Sequence, residues 1–102
     1  FFYPNKKVEQ SFFGFPLLIN KTYLSKKKFF LDYLNKKKIE TRPILSGNFL
    51  NQPGAKLYNL NNQNIKFHTA QEIEDRGFFI GIPSKPINDK TLNYLVENLL
   101  KI

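Results

Sequence analysis

The chain has 102 residues, a formal net charge of +8 and 41% hydrophobic residues, which is typical of one globular domain with its own core. The absence of cysteine excludes a disulfide framework and a thiolate site. No apolar run approaches the roughly 18 residues of a membrane span, so we expect a cytoplasmic protein without membrane insertion.

The positive charge is compatible with binding to nucleic acid or to an anionic surface. Fourteen of the basic residues are lysines, however, and twelve asparagines accompany them. An AT-rich coding sequence produces this bias without selection for binding. We therefore predict no nucleic-acid partner, and we keep a basic binding module without catalytic activity as the alternative interpretation.

Residues 1–10 have no clear periodicity and form an irregular lead-in to a single domain, 1–102. The chain begins without methionine, and we expect it to be an excised C-terminal piece of a longer protein. Aromatic and branched residues then predict a strand over Phe12–Ile19, with a bulge or close backbone approach at Gly14 and a sheet edge at Pro16.

A helix is predicted over Lys21–Lys38, with Ser25 as its N-cap and Asn20 or Thr22 as competitors. Phe29, Phe30, Tyr33 and Leu34 repeat at helical spacing on one side and should face the core. The lysine triplets at Lys26–Lys28 and Lys36–Lys38 should form a solvated face.

The segment Ile39–Pro53 starts as a strand and ends as a polar turn. Pro43 argues against further central pairing, and Ser46-Gly47-Asn48 suits a turn. Arg42 is one of only two arginines, which favours bidentate binding of a carboxylate or phosphate. The structural alternative is a strand end whose arginine pairs with a surface carboxylate.

An irregular connection is predicted over Gly54–Lys66, and a short helix should follow it. Thr69 and Glu72 have the spacing of a capping box, and the helix should run from Ala70 to Arg76 and stop at Gly77. Its acidic residues, Glu72, Glu74 and Asp75, should form a solvated face.

The most apolar short run, Phe78–Ile82, predicts a central strand buried on both faces. Asn88 should cap a final helix, Asp89–Lys101, with an apolar stripe at Leu92, Leu95, Val96, Leu99 and Leu100. The first two strands should be parallel, with the third antiparallel between them. The predicted fold is α+β: a three-stranded mixed sheet of order 1-3-2, two long helices on one face and one short helix.

The residue inventory contains no recognisable catalytic centre, and no catalytic residue is expected within this chain. His68 is the single histidine, so no metal-ligand cluster is expected. Ser46 and Ser84 lack the context of a nucleophile elbow, and no glycine-rich phosphate loop occurs. The chain is therefore predicted to be a binding module, or to complete a site whose reactive groups lie elsewhere.

Three motifs occur together in order: Ser-Phe-Phe-Gly-Phe-Pro at 11–16, Glu-Thr-Arg-Pro with Ser-Gly-Asn and Gln-Pro at 40–53, and Asp-Arg-Gly-Phe-Phe-Ile-Gly at 75–81. In these motifs the chain resembles the C-terminal domain of DegT/StrS-type sugar-nucleotide aminotransferases, closest to the 3-dehydratase branch. The resemblance covers roughly Ser11 to Ile102 and implies the small domain of a fold-type-I PLP enzyme.

The resemblance implies an enzyme that acts on a nucleotide-linked 4-keto-6-deoxyhexose in lipopolysaccharide or deoxysugar biosynthesis, as a homodimer when full-length. Pyridoxal or pyridoxamine phosphate would belong to the N-terminal cofactor domain of the same chain, with none bound to this part alone. The substrate- and cofactor-facing residues would be Glu40, Arg42, Ser46, Gly47 and Asn48. Arg42 would hold an anionic or polar group, Glu40 would orient a neighbour or bind a sugar hydroxyl, and Gly47 would allow close backbone approach.

Overall fold

Three short strands form the sheet of the computed structural model, which describes residues 7–9, 11–60 and 65–101. They are β1 (Gly14–Leu18), β2 (Thr41–Arg42) and β3 (Gly77–Gly81), in the order β1-β3-β2. Both hydrogen-bonded pairs are antiparallel. The α+β class and the strand order are confirmed. The sheet is antiparallel and not mixed as predicted. β1 and β2 run in the same direction, but each of them pairs with β3, which lies between them and runs the opposite way.

Four α-helices accompany the sheet: α1 (Lys27–Lys36), α2 (Pro53–Leu57), α3 (His68–Arg76) and α4 (Asp89–Leu99). Two 3-10 segments, Lys21–Lys26 and Phe49–Asn51, precede α1 and α2. Within the described ranges, no helix is both long enough and apolar enough to cross a membrane.

One face of the sheet carries the core. Phe78 and Ile80 point to this face from β3 and are 2% and 5% exposed. Phe30 and Leu34 of α1 pack on them, and the Phe30 and Phe78 rings meet edge to face with centroids 6.2 Å apart. Leu95 and Leu99 of α4 pack against the same cluster, so both long helices cover this face.

The first helical segment differs from its prediction at the N-terminal end. Asn20, not Ser25, is the cap: its side chain accepts a hydrogen bond from the Thr22 amide at 3.1 Å. The chain then runs through a 3-10 segment before α1 begins at Lys27. Lys27 is half-buried and not part of a solvated face, since its ammonium donates to the Glu74 and Asp75 carbonyls. Burial lowers the pKa of Lys27. The prediction that Phe29 faces the core was wrong, since this side chain is 77% exposed.

Two predictions in the middle of the chain were wrong. Residues 53–57 form α2 rather than an irregular connection, because Pro53 stands at the first helical position, where its fixed φ is favourable. Part of that predicted connection, 61–64, lies outside the described residues, as does most of the predicted lead-in.

The capping box is absent, since α3 begins at His68 without a side-chain cap. Gly77 leaves the helix at φ −80° and starts β3 directly.

The last helix is capped as predicted, with Asn88 accepting a hydrogen bond from the Thr91 amide at 2.8 Å. It ends at Leu99, two residues before the predicted end. Its apolar stripe is only partly covered: Leu95 and Leu99 reach the core, whereas Leu92 and Leu100 remain exposed.

The connection from α1 to β2 is a Schellman motif. The Ile39 amide donates to the Leu34 carbonyl at 2.9 Å, and the Lys38 amide donates to the Asn35 carbonyl at 3.0 Å. Lys38 occupies the left-handed position, with φ 62°, where glycine is normally preferred. The motif brings Ile39 into contact with the core immediately after the helix ends.

Lys38→Gly should stabilise the domain. The substitution removes a left-handed penalty of about 1–2 kcal/mol and costs about 0.5–1 kcal/mol in unfolded-state entropy. A urea titration should therefore show a higher midpoint with an unchanged m value. Lys36→Gly, inside the helix, should lower the midpoint. A loss of stability in Lys38→Gly as well would contradict this account of the motif.

Candidate functional site

Glu40 and Arg42 both point away from the core because their neighbours point into it. Ile39 is buried, and Thr41 lies opposite Ile80 on the core face of the sheet. Side chains alternate along an extended chain, so Glu40 and Arg42 lie on the opposite side. Arg42 accordingly lies opposite Phe79 in the β2–β3 pair.

The two side chains form an ion pair on this open face of the sheet. Arg42 Nε and Nη2 donate to Glu40 Oε1 at 2.9 and 2.7 Å. Both side chains are exposed, at 66% for Arg42 and 73% for Glu40, so the pair contributes about 0–1 kcal/mol to stability. In the part of the chain that the structure describes, Glu40 Oε2 and Arg42 Nη1 make no hydrogen bond. The structural alternative from the sequence, an arginine paired with a surface carboxylate, is thus present, and it leaves polar groups open to a ligand.

Aromatic rings border this ion pair. The Phe13 and Phe79 rings meet edge to face, with centroids 5.4 Å apart and planes at 79°. Phe13 is 72% exposed. Together with Gly81, these rings and the ion pair enclose a cavity of about 240 Å³, called here the open-face pocket, lined by Phe13, Glu40, Arg42, Phe79 and Gly81.

The turn at 46–48 has a different environment. Ser46 and Gly47 both adopt positive φ, at 65° and 50°. Asn48 is buried, and its side chain is used within the domain: Oδ1 accepts from the Leu50 amide at 3.2 Å, and Nδ2 donates to Gln71 Oε1 at 3.0 Å. The turn therefore presents the exposed Ser46, while Asn48 anchors it.

Glu74 fastens this turn to α3. Its Oε2 accepts from the Asn48 amide at 2.6 Å, and its Oε1 accepts from Asn51 Nδ2 at 3.0 Å. A Cβ built on Gly47 would lie 2.8 Å from the Glu74 side chain, so glycine is required for this approach. Glu74 was assigned to a solvated acidic face, but it is half-buried and holds the loop.

Glu72 of the same acidic cluster also has a structural role. It pairs with Arg76, whose Nη1 donates to Glu72 Oε2 at 3.0 Å, and with Lys21. The hydrogen bond from Lys21, together with the charge of Arg76, lowers the pKa of the Glu72 carboxyl. Arg76 Nε donates to the Ile19 carbonyl at 2.8 Å, which ties α3 to the end of β1.

Four of the five predicted site residues are divided between two cavities, and the fifth, Ser46, is exposed at the turn and lines neither of them. Glu40 and Arg42 share the open-face pocket, whereas Gly47 and Asn48 line a separate cavity of about 370 Å³ against α3. His68 is exposed at the first turn of α3. Among the described residues, no group of three or more histidine or carboxylate side chains is placed to hold a metal ion.

The chain was compared with protein-family models, with curated proteins and with solved structures, and none of them matches. Function is therefore argued from the residues themselves. The open-face pocket combines one carboxylate, one guanidinium and two aromatic rings on the sheet face opposite the core. Side chains of these types can hydrogen-bond to a polar ring and pack against its face.

Glu74→Ala should destabilise the domain by about 1–3 kcal/mol, because it leaves the Asn48 amide without its acceptor. Glu97→Ala is the matched control, because the Glu97 carboxylate on α4 is exposed. This substitution should change the free energy of unfolding by no more than about 0.5 kcal/mol. Chemical denaturation measures both. Equal effects of the two substitutions would show that Glu74 does not hold the turn.

Proposed function

We propose that this chain is the small C-terminal domain of a PLP- or PMP-dependent enzyme of the cytoplasm. The enzyme acts on a nucleotide-linked 4-keto-6-deoxyhexose, as a 3-dehydratase or an aminotransferase in lipopolysaccharide or deoxysugar biosynthesis. One observation carries the proposal beyond the sequence motifs: Glu40 and Arg42 lie side by side on the sheet face opposite the two long helices.

The exposure of this pair supports a role in binding rather than in folding. A carboxylate and a guanidinium held together present acceptors and donors within a few ångströms, which suits the hydroxyls of a sugar. Their small contribution to stability leaves little structural reason for an arginine at this position. The open face is the surface on which the cofactor domain would be placed to close the site.

The residues of the open-face pocket fit the sugar better than the cofactor. Pyridoxal phosphate supplies an electron sink when bound, and it is attached to a protein through the amine of a lysine side chain. The pocket contains no lysine. We therefore assign the cofactor to the N-terminal domain, and to this chain the tasks of orienting the substrate and excluding water. The full-length enzyme would be a homodimer.

The two arginines of the chain provide a matched test in the full-length enzyme. Arg42→Ala should reduce kcat/KM by about 10–100-fold, which corresponds to the loss of one or two charge-assisted hydrogen bonds of about 1.5–3 kcal/mol. Its thermal stability should change little, because the side chain is largely exposed. Arg76→Ala should do the reverse, since its side chain is 17% exposed and bonds the Ile19 carbonyl.

Steady-state kinetics and thermal melts on both variants measure these effects. If Arg42→Ala unfolds the domain while the surviving protein keeps its kinetic constants, then Arg42 is structural and the proposal fails at its central residue.

A further inference from the structure

Two glycines face each other at one end of the β1–β3 strand pair. Gly14 of β1 lies directly opposite Gly81 of β3, and both positions point to the open face. A Cβ at Gly14 would lie 2.4 Å from Phe79 Cδ2, so the Phe79 ring already fills the space above Gly14. A Cβ at Gly81 would meet no atom within 4 Å. The sheet therefore has bare backbone at Gly81, beside an aromatic ring.

This bare position is the floor of the open-face pocket. Phe79 stands on one side of it, and Phe13 adds a second ring nearly perpendicular to the first. Glu40 and Arg42 complete the rim. The result is a corner with exposed backbone as its floor, two aromatic walls and one charged edge.

We propose that this corner is a pyranose subsite. One face of a hexose ring lies over Gly81 and against the Phe13 ring, and adjacent hydroxyls donate to Glu40 Oε2 and accept from Arg42 Nη1. The subsite extends the proposed function. It rests on that function for one point, which is that the hexose is the sugar of a nucleotide-linked substrate.

Charge and shape favour a neutral sugar ring over the other parts of such a substrate. Glu40 already neutralises Arg42, so the corner offers no net positive charge to a phosphate. The rings cross at 79° and leave no parallel slot for a flat base. A volume of about 240 Å³ is large enough for one pyranose ring.

Saturation-transfer NMR on the 102-residue chain tests the subsite, with methyl α-D-glucopyranoside and uridine as separate probes. The pyranoside ring protons should receive saturation, with a Kd on the order of millimolar, which is about −4 kcal/mol. Uridine should receive none.

Gly81→Leu is the decisive variant, because a Cβ at this position has open space, so the larger side chain occupies the corner, and the φ of Gly81 lies outside the left-handed region. It should reduce the pyranoside signal about tenfold, which equals about 1.4 kcal/mol. Phe13→Ala, at a largely exposed ring, should also weaken it. Asn93→Leu on the exposed part of α4 controls for an added leucine and should leave the signal unchanged. Circular dichroism verifies that each variant is folded.

The subsite is overturned if uridine alone receives saturation, if neither probe does, or if a pyranoside signal persists in both folded variants. These failures differ from failure of the proposed function. Pyranoside binding that Gly81→Leu abolishes, in a full-length protein without PLP or PMP activity, would retain the subsite and remove the enzyme assignment. An active enzyme whose KM is unchanged by Gly81→Leu would retain the enzyme assignment and remove the subsite.

Discussion

The alternation of side chains along β3 is the constraint on which the rest of the structure depends. Phe78 and Ile80 must point to the helices, because they form the core with Phe30 and Leu34. Phe79 and Gly81 are then forced to the opposite face. A shift of one residue in β3 would bury Gly81 and expose the core residues, so register and core are specified together.

The same constraint reaches β2 through the end of α1. The Schellman motif at Lys38 ends the helix and brings Ile39 to the core beside Leu34. Because Ile39 and Thr41 point inward, Glu40 and Arg42 emerge together on the open face. The ion pair is thus a consequence of packing on the other side of the sheet. A residue inserted or deleted between Lys38 and Arg42 would separate the pair from the pocket.

The elements with local signals could be predicted from the sequence. The apolar run at Phe78–Ile82 indicated the central strand, and Asn88 indicated the start of α4, because both signals lie within a few residues of their effect. The strand order followed from the connection between the first two strands. Ser25 and Asn20 competed as caps within one lysine-rich stretch, and the sequence could not rank them because both are good cap residues.

The parts that depend on tertiary contacts could not be predicted. Glu74 holds a turn 26 residues earlier in the chain, and nothing near Glu74 indicates its partner. Gly14 pairs with Gly81 because of the register of β1 against β3, and the residues of the intervening segments do not specify that register. Two of the five residues of the candidate site, Glu40 and Arg42, could be located by residue type and strand position. Phe13, Phe79 and Gly81 became candidates only when the sheet brought them beside that pair.

The central claim is that the open sheet face, rather than the lysine-rich helix, is the ligand-binding surface. Amide chemical-shift mapping of the ¹⁵N-labelled chain during titration with UDP-glucose tests it most directly. The account predicts shifts at Phe13, Gly14, Arg42, Phe79 and Gly81. Shifts concentrated at Lys26–Lys28 and Lys36–Lys38, and weakening steeply with salt, would contradict it and favour a basic binding module.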